Sequence, residues 1–169
     1  MFGFLRPKAP AAQVGHKLLS LIYEQDAGIF AREHSIAQSV AANPNWNAQL
    51  VRELFLLGLS AADLGTYLAL GNTPVKIEVM NAFYSHFEEK AKTDVGAKRF
   101  LESVKERQLL YEDTTKMSGS LEVALRYVGM AFAKCCGQTG EPALVMVGAG
   151  FWSVTVRMAR KYVEGFRVI

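Results

Sequence analysis

The chain has 169 residues, half of them hydrophobic and about a fifth charged, with 19 Lys plus Arg against 16 Asp plus Glu for a formal net charge of +3. A chain of this length makes one ordinary globular domain that buries roughly 68–70% of its unfolded surface, so its core needs neither metal nor disulfide. Disordered and collagen-like classes are excluded by this composition, and the small charge excess lacks the dense basic face of a typical nucleic-acid protein.

Residues 1–11 hold Gly3, Pro7 and Pro10 without periodicity and read as a mobile N-terminal tail preceding a helical domain over 12–169. Their apolar run before Arg6 is too short for the core of a signal peptide. Phe2, Phe4 and Leu5 followed by Arg6 and Lys8 form an apolar-basic segment expected to engage a partner and to be dispensable for folding. From Ala12, the residues Val14, Leu18, Leu21, Ile22, Ile29, Ile36 and Val40 recur at helical spacing, which predicts one long helix bending near Gly28 and ending at Asn43 and Pro44.

A second helix is expected over 45–57, almost entirely apolar. Gly58 would supply its C-terminal turn, and Ser60 with Asp63 has the spacing of a capping box that opens a third helix over 61–70, presenting Ala61, Leu64, Gly65 and Leu68 on one face. Gly71 and Asn72 stop that helix. Thr73 and Pro74 start the next, to about Lys92, with Val75, Val79, Met80, Phe83 and Phe87 inward. Thr93 or Asp94 caps another to about Lys116, with Phe100, Leu101, Val104 and Tyr111 inward and Lys98, Glu102, Lys105, Glu106 and Arg107 on a solvated face. A sixth runs from Ser120 to near Gly137 on Leu121, Ala124, Leu125, Val128 and Phe132, and the last covers about 141–164. The fold class is therefore all-α, a single-domain bundle of six or seven helices with a central apolar helix pair. Leu54, Leu57, Leu64, Leu68, Phe83, Val128 and Phe132 should be buried, since they centre the apolar stripes.

Residues 143–153, ALVMVGAGFWS, have the cadence of a dinucleotide-binding turn. That fold needs further strands and an acidic residue for the ribose, whereas 12–137 show no strand and helix alternation. Gly148, Ala149 and Gly150 are better read as allowing close helix packing. The uncharged, mostly apolar run over residues 142–156 is shorter than the roughly twenty residues a membrane span needs, so it reads as a core helix.

No catalytic constellation emerges. The two cysteines, Cys135 and Cys136, are adjacent, and Cys135 continues the apolar stripe through Val128 and Phe132. With three scattered histidines no zinc set assembles, and neither a nucleophile elbow nor a phosphate-binding loop is present. No cofactor or metal is expected. The expected function is that of a non-enzymatic cytoplasmic protein acting by macromolecular interaction, as an adaptor or regulatory module, with another protein or itself as a homodimer for partner. Its contact surfaces would be the tail and a basic surface of Arg157, Arg160, Lys161 and Arg167.

Two alternatives remain. The first is a trihelical helix-turn-helix over 47–87 with Lys76, Glu78 and Asn81 facing DNA bases. Against it, those residues carry only Arg52 and Lys76 opposite Glu53, Asp63 and Glu78, too few cations for several phosphate contacts. The second is a carrier or sensor holding an apolar small ligand in the helical core.

Overall fold

The computed structural model describes residues 6–24, 44–116 and 118–169. Among them are six helices, α1 (Ala11–Glu24), α2 (Pro44–Leu70), α3 (Pro74–Ala91), α4 (Val95–Lys116), α5 (Leu121–Cys135) and α6 (Pro142–Glu164), with two-residue strands β1 (Lys8–Ala9) and β2 (Arg167–Val168). The all-α class follows. The continuation of the first helix past Glu24, with its bend at Gly28, lies outside the described residues.

Helix starts follow local chemistry closely. The Thr73 hydroxyl accepts from the Lys76 N–H with Pro74 in the first turn, the Asp94 carboxylate accepts from the Ala97 N–H at 3.0 Å, and the Ser120 hydroxyl accepts from the Val123 N–H. Each satisfies an N–H that the helix itself leaves open.

The expected break at Gly58 does not occur, because α2 runs through it from Pro44 to Leu70. Its middle, from Leu56 to Ala62, is buried on all sides, and two apolar cores flank it. On one side Leu50, Leu54, Leu57 and Ala61 meet Val128 and Phe132 of α5 and Leu144, Val147 and Phe151 of α6. On the other, Leu56, Leu59 and Ala62 meet Leu18 and Ile22 of α1 and Val79 and Phe83 of α3. A Cβ at Gly58 would stand 3.3 Å from the Phe151 ring and 3.4 Å from Ile22, so this glycine makes room for packing where a turn was expected. The capping signal of Ser60 and Asp63 is overridden by burial on both faces. As a result the three-helix outline expected over 47–87 is replaced by two helices joined at Gly71, whose φ of 65° suits glycine.

Helices α2 and α6 share the most extensive contact between elements. Both are long and apolar enough to cross a membrane, over Ala48–Leu70 and Pro142–Glu164, and 61% and 44% of their most apolar windows are buried within the bundle. Backbone approach is close where glycine permits it. A Cβ at Gly65 would lie 2.6 Å from the Val156 carbonyl oxygen, and one at Gly148 would lie 2.6 Å from the Phe132 ring, which bears out the packing role read for Gly148. Residues 143–147 are helical and so cannot begin a dinucleotide fold.

Leu54, Leu57, Phe83, Val128 and Phe132 are fully buried as expected, and Leu64 is partly so. Leu68 is not: it is 46% exposed, in the last turn of α2, one turn beyond the crossing at Gly65. The tail expectation is corrected for residues 8–11. β1 pairs in parallel with β2, the Arg167 N–H donates to the Pro7 carbonyl at 2.9 Å, the Ile169 N–H to Ala9, and the Ala11 N–H to Ile169. Ala9 and Ala11 are 4% exposed, so this stretch is part of the packed structure and removing it should lower stability.

Candidate functional site

Three places concentrate chemistry: a buried charged cluster, a cleft beside it, and the outer face of α5. The cluster starts from Glu53, only 2% exposed in the middle of α2. An unpaired carboxylate there would be costly, and α4 supplies the partner: Arg107 donates from Nε at 2.8 Å to one oxygen and from Nη2 at 3.0 Å to the other. Glu53 and burial act oppositely on the guanidinium, and the hydrogen bonds win, holding it above its ordinary value. Sequence reasoning placed Arg107 on a solvated face of mixed charge. The signal that was available is Glu53 itself, an acid within an otherwise apolar helix.

Around this pair stand Tyr111, Cys135 and Cys136. Tyr111 is 1% exposed, and burial pushes its pKa well up. Cys136 is the fully buried cysteine at 2% exposure, while Cys135, expected in the core stripe, is half-buried at the last turn of α5. Cys136 follows the last residue of α5, with φ −75° and ψ 0°, so the helical period that carries the stripe through Val128 and Phe132 to Cys135 does not fix where the Cys136 side chain lies. Desolvation raises both thiols, that of Cys136 to about 12, which keeps them in the unreactive protonated form near neutrality.

The raised Cys136 value predicts a pH dependence. Below about pH 9 the thiol is protonated in both folded and unfolded chains and contributes no slope; between about 9 and 12 only the unfolded chain ionises, so stability falls by about 1.4 kcal/mol per pH unit from this group. Urea midpoints of the Cys136→Ala variant should therefore fall less steeply over that range than those of the unsubstituted chain. Parallel curves would contradict the assignment.

The cleft, about 460 Å³, opens between α2, α4, the start of α3 and Trp152 of α6. Leu64, Tyr111 and Trp152 form its apolar wall, with the half-exposed Tyr67 also lining it. Its polar wall is a connected set. Lys76 pairs with Asp63 at 2.5 Å, the Gln108 amide donates to the Tyr84 hydroxyl at 2.5 Å and to Asp63 at 3.4 Å, and the Tyr84 hydroxyl donates to the Leu59 carbonyl. Burial, with the negative charge of Asp63, keeps the Tyr84 phenol protonated. A second pair, Lys116 with Glu112, is exposed and also lines the cleft.

The outer face of α5 is apolar at Val123, Tyr127 and Met130, which are 40%, 46% and 47% exposed, while Ala124, Val128 and Phe132 on the inner face are buried. Met146 on α6, 75% exposed, follows Val145, whose carbonyl oxygen lies against Gly129.

Of the residues singled out in the sequence, Phe2, Phe4 and Leu5 lie outside the described residues, and Arg6 and Lys8 are exposed at the chain's docked edge. Arg157, Arg160 and Lys161 are exposed near the end of α6, with Arg167 on β2. Arg160 pairs with Glu164 at 2.8 Å, and Arg157 donates to the Ser153 carbonyl, so part of that positive charge is engaged within the helix. Glu78 and Asn81 are exposed on α3, but Lys76 is held by Asp63, which takes it out of the expected base-reading set. Among the described residues no three His, Cys, Asp or Glu side chains group as metal ligands. Compared with known proteins, the chain matches no family model, no curated protein and no solved structure.

Proposed function

We propose that this chain acts by protein association, pairing with a second copy of itself through the outer face of α5. The observation that carries this reading is the stripe of Val123, Tyr127 and Met130, continued by Lys134, which is spaced four, three and four residues apart on a helix whose opposite face already packs into the core. That is the spacing at which two helices interlock side by side. A surface helix normally keeps one apolar stripe, and a second one implies a second contact. Charge favours an identical partner in the antiparallel sense. Glu122 and Lys134 sit at opposite ends of the stripe, both exposed, so antiparallel pairing brings each Glu122 toward the partner copy's Lys134.

Sedimentation equilibrium on the full chain tests this. The mass should rise from the 18.6 kDa of one chain toward twice that value across the micromolar range. Tyr127→Glu combined with Met130→Glu should hold it at one chain while leaving the helical circular dichroism unchanged, because both side chains are exposed. A protein that stays monomeric at the highest soluble concentration, or a double variant that still pairs, overturns the reading.

A further inference from the structure

The cleft between α2 and α4 lies apart from the α5 face and carries an inference independent of self-association. Its volume of about 460 Å³ is within the range of small-ligand sites, roughly 300 to 1,000 Å³. The polar groups in it are held in place before any ligand arrives: Asp63 is gripped by Lys76 and Gln108, and Gln108 is anchored by Tyr84, itself tied to the backbone of α2. Such preorganisation lowers the ordering cost of binding.

The charges restrict what fits. Lys76 and Lys116 are each already matched by a carboxylate, Asp63 and Glu112, so the lining is balanced. A simple anion would have to draw a lysine from its own acid, and a simple cation would have to draw an acid from its lysine. A ligand bearing both charges exchanges one matched set for another, its ammonium meeting a carboxylate of the wall and its carboxylate a lysine. Beside the charges, the partly buried Leu64 and the half-exposed Tyr67 offer a surface for an apolar or aromatic body, with the buried Tyr111 and Trp152 also lining the cleft. We infer that the cleft binds a small zwitterion with an aromatic body, of the chemical class of an aromatic α-amino acid.

Isothermal titration of the full chain with L-tryptophan and L-phenylalanine tests this, with tryptamine and indole-3-propionate as probes carrying one charge each. At least one of the two amino acids should bind at least tenfold tighter than either singly charged probe, a gap of about 1.4 kcal/mol. Lys76→Met should weaken that binding tenfold or more. Lys116→Met, at an exposed position where folding is not at stake, should weaken it measurably. Tyr127→Glu, on the α5 face, should not change it. No heat from either amino acid at millimolar concentration with a folded protein overturns the inference. So does binding that survives both lysine variants, or a singly charged probe that binds as well as the amino acids. None of these outcomes bears on self-association, which is read by mass.

Discussion

Replacing Arg107 by Met should destabilise the protein by about 3–5 kcal/mol, the largest effect expected of any polar substitution here, because it leaves the Glu53 carboxylate buried at 2% exposure without its two-pronged partner. In a domain of this size that corresponds to a fall in Tm of roughly 10 °C or more. The loss comes from an uncompensated charge, so it should be recoverable. Glu53→Leu combined with Arg107→Met removes both charges and should restore most of the stability, since buried pairs often do little better than apolar replacements of similar volume. Urea unfolding of the two variants separates the cases. Equal stability of the single variant and the unsubstituted chain would mean that Glu53 finds water or another donor. A double variant as unstable as the single would mean that the pair is prized for its shape.

Gly129→Ala should cost about 2–3 kcal/mol, although alanine is the better helix former by about 1 kcal/mol in isolation. The added Cβ would stand 2.2 Å from the Val145 carbonyl oxygen and 2.9 Å from the Val145 side chain. A backbone oxygen has no rotamer to escape into, so α5 and α6 must separate, loosening Phe132 and Val147 in the core they share. Gly119→Ala provides the comparison: a Cβ there meets nothing within 4 Å, and thermal unfolding should move little. A neutral Gly129→Ala would show that the two helices can shift apart without loss.

Both substitutions probe contacts between elements distant in sequence, and that is where reading by residue pattern succeeded least. Local signals were legible wherever a helix end is satisfied by its own neighbours. Thr73 before Pro74, Asp94 and Ser120 cap the helices they were expected to cap. Leu54, Phe83, Val128 and Phe132 were legible as core because each sits at the centre of a broad stripe. Gly58 misled, since a glycine followed by Ser60 and Asp63 reads the same whether the chain turns or two neighbouring cores press on a continuing helix. Cys135 was read as part of the core stripe but is half-buried at the last residue of α5, and the buried thiol is that of Cys136, just past the helix where its period no longer applies.

The cleft shows the same division. Asp63 and Lys76 were read separately, one as a helix cap and the other as a base-reading residue, and only the turn at Gly71 brings them together as a pair. The α5 stripe of Val123, Tyr127 and Met130 is present in the sequence as an apolar spacing, but whether it faces the core or solvent depends on which side of α5 lies against α6.

By itself the amino-acid sequence determined the all-α class, most helix starts and the close-packing role of Gly148, because helical period, capping and side-chain size act within a few residues. Tertiary structure alone decided that α2 is one helix, that Glu53 meets Arg107, that residues 8–9 dock on 167–168, and which apolar stripe stays outside. Each of those depends on free energy gained between segments tens of residues apart, where burial on two sides outweighs a local turn preference of about 1 kcal/mol.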